Sequence, residues 1–202
     1  MSMRSVFVAI AALVVAAPVA LSAQQTNADF AKARREFLAG QSRQASQTLL
    51  IASVLVREQL GRSHDETLGM RLLDAEGQLE KLAASVKAGT VSDVKSLEQA
   101  LESIDRLLAQ HHLQLASEGI AKPAANEIPA IALDVERAAF HFERSITLDG
   151  RVLGAEQAEA VSNARTLAKS IEETRLVPKS ASSVVTALQK HVLGSSVVAT
   201  AR

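Results

Sequence analysis

The sequence predicts an all-α protein that folds as an antiparallel bundle of about six helices. Apolar side chains recur at steps of three and four residues, which is the spacing of one face of a helix. Gly and Pro mostly fall between these periodic segments. The 202 residues include no Cys, no Trp, no Tyr and only five Phe. The core is therefore expected to consist of aliphatic side chains without disulfide bonds.

The first helical region is expected from about Asp29 to Leu60, and Gly40 can divide it into a short and a longer helix. The second helix is expected from about His64 to Ala88, because Ser63 and Glu66 have the spacing of a capping box. One apolar seam runs along this second helix, at Leu68, Leu72, Ala75, Leu79, Leu82 and Val86.

The third helix is expected to follow Gly89, with Thr90 and Asp93 as capping residues, and to reach about Ser117. Its seam consists of Val94, Leu97, Leu101, Ile104 and Leu108. Two regular seams of this kind favour neighbouring antiparallel helices that cross at about 20°.

Three further helices are expected in the second half of the chain. The fourth begins near Glu127, with Pro129 in its first turn, and ends before Asp149. The last two run from about Gly154 to Arg175 and from about Ser182 to Leu193.

A faint repeat at an offset of about 90 residues suggests two consecutive three-helix units. We expect the first unit at residues 24–118, a linker at 119–126 and the second unit at 127–193. Residues 194–202 are expected to form a flexible tail. Each unit alone is short of core, so we expect the two to pack together or against another subunit.

The N-terminus has the three-part pattern of a secretory signal peptide. Arg4 supplies the positive charge, Val6 to Ala17 form an uncharged apolar run, and small residues follow Pro18. Cleavage is expected after Ser22 or Ala23, so residues 1–23 are assigned to the signal. The run is shorter than the about 20 apolar residues of a permanent anchor. We expect a periplasmic or secreted protein with no membrane anchor after cleavage.

Composition excludes several function classes. Removal of the signal leaves 21 basic and 22 acidic side chains. Because the net charge is close to zero, no strong positive electrostatic potential is expected to attract nucleic acid. The near-absence of aromatic residues also argues against stacking on single-stranded nucleic acid. Without cysteine, thiol catalysis, iron–sulfur clusters and c-type haem attachment are excluded.

Three histidines are weak candidates for a metal or haem site: His111, His141 and His191. His111 continues the seam of the third helix, and inward side chains of a bundle can bind metals. Neither Glu-x-x-His nor His-Glu-x-x-His occurs, so no ligand spacing supports this hypothesis. The alternative interpretation is that each histidine lies half-buried near a bundle end and is hydrogen-bonded there.

No catalytic residues and no cofactor are predicted, and cofactor-binding residues remain unknown. Adjacent acids such as Glu172 and Glu173 point in different directions on a helix, and no nucleophile elbow or phosphate loop occurs. The leading hypothesis is a non-enzymatic exported bundle that acts through helix–helix contacts with itself or another protein in the cell envelope. The alternative is a periplasmic carrier of a metal, haem or small ligand that uses inward histidines.

Overall fold

A computed structural model describes residues 30–91 and 93–194. The predicted signal peptide at residues 1–23 and the tail from Ser195 onward lie outside the described residues. The described ranges contain seven helices, which we number in chain order: α1 (30–38), α2 (Ser42–Leu60), α3 (Glu66–Ala88), α4 (Val94–Ala121), α5 (Ile128–Thr147), α6 (Ala155–Thr174) and α7 (Ala181–Gly194).

The all-α prediction is confirmed, since all regular structure in these two ranges is helical. None of these seven helices is both long and apolar enough to cross a membrane. Gly40 separates α1 from α2, and Gly89 ends α3. Both adopt the left-handed backbone, with φ of 72° and 70°, which glycine adopts without a steric penalty. The break at Gly40 explains why there is one helix more than the six predicted.

The start of α3 corrects one capping prediction. The helix begins at Glu66 rather than His64, and its N-cap is Asp65 instead of Ser63. The Asp65 carboxylate accepts a hydrogen bond from the backbone N–H of Leu68 at 2.8 Å. The Ser63 hydroxyl instead donates to the Asp65 carbonyl. The carboxylate also favours the positive end of the helix dipole.

The predicted linker at 119–126 begins too early, because α4 continues to Ala121. Gly119 does not interrupt the helix; it allows the close approach of α5. A Cβ at Gly119 would lie 2.6 Å from Cγ1 of the buried Ile131. The glycine is therefore a packing residue of the α4–α5 contact and not a turn residue.

Helices α4 to α7 pack in a ring. Each contacts the next along the chain, and α7 returns to contact α4. Because short loops join them, successive helices run in opposite directions, as in an up-and-down four-helix bundle. Helices α2 and α3 form a separate helical hairpin, and the α4–α5 and α2–α3 contacts are the most extensive.

The buried apolar side chains form two clusters that meet along α4. One joins α1, α2 and α3 to the first half of α4, as far as Leu108. The other joins the second half of α4, from Ala109, to α5, α6 and α7. A single helix therefore contributes to both cores. The division into units at residues 118 and 127 stays a prediction.

Candidate functional site

Two histidine–aspartate pairs cross the contact between α4 and α5. Asp105 and His112 are seven residues apart on α4, and Asp134 and His141 have the same spacing on α5. Seven residues are about two helical turns, so each helix presents both side chains on one face. Because the helices are antiparallel, His112 meets Asp134 and His141 meets Asp105. In both pairs the Nδ1–Oδ1 distance is 2.9 Å.

The imidazole rings of the two pairs lie against each other. The rings of His112 and His141 are nearly parallel, at 7°, with centroids 5.6 Å apart. The ring of His111 lies 5.3 Å from that of His112. All three histidines are at most 2% exposed. The centre of the α4–α5 contact is thus a buried layer of imidazole between two carboxylates.

Two arginines cover the carboxylates from outside. Arg62, in the loop between α2 and α3, donates from Nη2 to both oxygens of Asp134, at 3.1 and 2.9 Å. Arg144 places Nε 3.2 Å from Oδ2 of Asp105. The Arg144 guanidinium also lies 5.5 Å from the centre of the Phe30 ring on α1. The two pairs therefore link the N-terminal helices to the four-helix bundle.

Burial keeps two of these histidines uncharged near neutral pH. It lowers the pKa of His112 to about 3, although the hydrogen bond to Asp134 acts in the opposite direction. Burial, together with the charge of Arg62, lowers the pKa of His111 to about 4. Burial alone would raise the pKa of Asp134, but the bond from His112 and the Arg62 charge outweigh it and lower that pKa. These three pKa shifts agree with a neutral His112 that donates a hydrogen bond from Nδ1 to an ionised Asp134.

Two of the three metal candidates come together in the structure. His111 and His141 both contact the His112 ring. His191 lies near the end of α7 and is partly exposed. Within residues 30–91 and 93–194, no group of three or more His, Cys, Asp or Glu side chains has a geometry that could hold a metal ion. The carrier hypothesis stays a prediction and gains no support from this arrangement.

Sequence reasoning did not assign a role to His112, Asp105 or Asp134. A signal for them is present, since Asp followed seven residues later by His occurs on two consecutive predicted helices. Such a repeat on antiparallel neighbours pairs each acid with the histidine of the other helix. Periodicity of apolar residues alone does not reveal this pattern, because the pairs replace apolar side chains in the seam.

The polar residues near His141 do not form a cleft with it. Glu136, one helical turn before Phe140, is half-exposed and lies 3.6 Å from Arg165 on α6. His141 is buried against α4. The two side chains thus face different helices, and the prediction of no catalytic site stays untested by this geometry.

A second notable feature is an apolar surface on α2. Leu50, Ile51 and Val54 are 45%, 49% and 54% exposed, although they lie in the middle of a long helix. They occupy neighbouring positions on its solvent-facing side. We call these three residues the outer stripe of α2. Contiguous exposed apolar side chains typically mark contact sites.

The same hairpin carries two more exposed apolar side chains on α3. Met70 and Leu73 are 56% and 54% exposed. Together with Leu60 they line a shallow groove of about 350 Å³ at the α2–α3 turn, where His64 and Glu66 supply polar groups. Of the nine large apolar side chains exposed in the described ranges, five therefore belong to this hairpin. The large exposed apolar side chains of the described ranges are thus concentrated on this hairpin.

The sequence contains a signal for the outer stripe that the three- and four-residue spacing of apolar residues does not reveal. From Leu49 to Val56 the chain has seven apolar residues and one serine. Consecutive apolar residues cover all sides of a helix, whereas only one side of a surface helix faces the core. Leu49, Ala52, Ser53, Leu55 and Val56 are buried, which leaves the three residues of the outer stripe on the solvent-facing side.

Comparisons with known proteins do not assign this chain to a family. No family model, no curated protein and no solved structure matches it. The buried histidine–aspartate pairs and the outer stripe of α2 are the two features of this chain that bear on its function.

Proposed function

We propose that this protein is exported and acts as a non-enzymatic helical bundle, through helix–helix contact with a protein partner in the cell envelope. Export rests on the N-terminal pattern of charge, apolar run and small residues. The contact is assigned to the α2–α3 hairpin, on its solvent-facing side.

The observation that carries the proposal is the outer stripe of α2. A solvent-facing helix side usually carries charged or polar residues. Here Leu50, Ile51 and Val54 expose about half of their surface. The core does not require them, because Leu49, Ala52 and Val56 of the same helix already fill the contact with the neighbouring helices. Burial of apolar area against another helix would stabilise a complex by roughly 25 cal/mol per Å² before association costs.

The buried histidine–aspartate pairs support a structural role in this proposal. They are inaccessible, with at most 5% exposure of either aspartate or histidine in both pairs. A buried polar pair that must meet its partner across two helices fixes their register. We therefore assign these pairs to the alignment of α4 with α5, which in turn holds the hairpin through Arg62.

Site-specific photo-cross-linking in cells that produce the full chain tests the proposal. A photoreactive residue replaces Ile51, and a control variant carries it at Lys169, whose side chain is 75% exposed on α6. We expect a discrete cross-linked product in the envelope fraction from position 51 and none from position 169. No product from position 51, or equal products from both positions, would refute the contact.

A further inference from the structure

The outer stripe of α2 continues into charged residues at both of its ends. Arg43, Gln47, Leu50, Val54 and Arg57 follow one another at steps of four, three, four and three, and all are exposed. Residues at these steps form a narrow seam along one side of a helix, as in coiled coils. Leu50 and Val54 of the outer stripe thus lie at the centre of a seam whose centre is uncharged and whose ends are charged.

We propose that this seam binds α2 of a second copy of the chain in antiparallel orientation, about a two-fold axis near Ile51. This inference rests on the proposed function and names its partner. In a two-fold contact the same surface serves both copies. An axis near Ile51 places the outer stripe of one copy on the outer stripe of the other.

Charge complementarity selects the antiparallel orientation. Arg43 precedes Ile51 by eight residues, and Glu58 follows it by seven. At 1.5 Å per residue these distances are about 12 and 11 Å, so Arg43 lies opposite the partner's Glu58 at both ends of the contact. A parallel pair would instead place Arg43 beside Arg43 and Glu58 beside Glu58.

The charged residues at the ends are available for this contact. Arg43 and Glu58 are both exposed, and neither forms an ion pair within the described part of the chain. Arg57, on the same side of the helix, is already paired with the buried Glu76 of α3. Its charge is thus compensated within one copy, which leaves Arg43 and Glu58 to set the orientation.

One helix pair buries an area at the low end of specific interfaces, so we expect a dimer with a dissociation constant in roughly the micromolar range. Sedimentation velocity of the purified exported chain, over about 1 to 500 μM, measures this equilibrium. Ile51→Glu places two carboxylates at the axis, and we expect it to weaken dimerisation by about a hundredfold or more.

Charge reversal separates the antiparallel contact from general apolar association. We expect Arg43→Glu and Glu58→Arg each to weaken the dimer about tenfold, because each creates two like-charge contacts. The double variant Arg43→Glu/Glu58→Arg should return to within about threefold of the original. The matched control exchanges Lys169 and Glu173, an exposed ion pair on α6, and should have no effect.

The outcomes distinguish this inference from the proposed function. The α2–α2 contact is refuted if the chain is monomeric at all concentrations. It is also refuted if the charge reversals leave the dissociation constant of the dimer unchanged. In that case a cross-linked product from position 51 with the mass of a different protein still supports the proposed function. A product of twice the chain mass, together with rescue by the double reversal, supports both.

Discussion

At the scale of single residues, the buried charges between α4 and α5 are stable because each meets a partner. Asp134 accepts hydrogen bonds from His112 and from Arg62. Removal of one member of a buried pair typically costs about 3–5 kcal/mol, because the other is left without compensation. The same pair contributes less net stability than this cost suggests, since both groups lost water on folding.

A double-mutant cycle on His112 and Asp134 tests the pairing. We expect His112→Ala and Asp134→Ala each to lower the free energy of unfolding by about 2–4 kcal/mol. The double variant should lose about 1–2 kcal/mol less than the sum, because both singles remove the same interaction. Urea denaturation measures all four proteins.

A control cycle uses His112 and Glu98. Glu98 is also buried on α4, but it pairs with Arg34 of α1 at 2.5 Å. Fourteen residues, about 21 Å of helix, separate it from His112. This second cycle should be additive within about 0.5 kcal/mol. Additivity in the His112–Asp134 cycle would show that the two side chains do not interact.

At the scale of helices, two glycines of similar sequence context have opposite roles. Gly119 lies in α4, where a Cβ would meet Ile131 at 2.6 Å. Gly77 lies in α3, where a Cβ would meet nothing within 4 Å of it. The first position is governed by packing against α5, and the second only by helix propensity.

We predict that alanine at these two positions changes stability in opposite directions. Gly77→Ala should raise the free energy of unfolding by about 0.5–1 kcal/mol through helix propensity. Gly119→Ala should lower it by about 1–2 kcal/mol, because displacement of the buried Ile131 outweighs the same gain. Thermal unfolding monitored by circular dichroism compares the two variants. Stabilisation by Gly119→Ala would show that α4 and α5 are less closely packed.

The helices themselves could be predicted well, because their signals are local. Helix boundaries predicted from the sequence occur in the structure at Gly40, Gly89 and Asp93. Two features could not be predicted: the N-cap at Asp65 and the continuation of α4 through Gly119. Both depend on which of several possible acceptors or neighbours a residue contacts in the folded chain. A sequence pattern places Gly119 in a linker; only the contact with Ile131 explains its place in a helix.

The candidate site was predictable only in part, for a different physical reason. Seam continuity correctly placed His111 toward the core, where it is 1% exposed. The pairs Asp105–His141 and His112–Asp134 require knowledge that α4 and α5 are adjacent and in register. That information is nonlocal, and the apolar steps of each helix do not contain it. The outer stripe of α2 likewise becomes visible only when the core-facing residues of that helix are known.

At the scale of the whole molecule, buried histidines connect stability to pH. Burial lowers the pKa of His111 to about 4 and that of His112 to about 3, below the ordinary value of 6.5. The unfolded chain therefore binds protons below about pH 6.5, whereas the folded chain does not until much lower pH. Stability is then fully present above about pH 7 and is lost as the pH falls toward 4.

We predict that the free energy of unfolding falls by up to about 2.7 kcal/mol per pH unit between pH 6 and pH 4, since each histidine contributes up to about 1.4. Asp134, whose pKa is lowered, adds a loss in the same direction at lower pH. Glu102, whose pKa is raised above its ordinary value by burial, opposes this loss. Urea denaturation at half-unit steps of pH measures the slope, and His111→Gln should reduce it by about half. A stability that stays constant from pH 7 to pH 5 would mean that these imidazoles are reached by water, and the buried layer between α4 and α5 would have to be more open than its 1–2% exposure indicates.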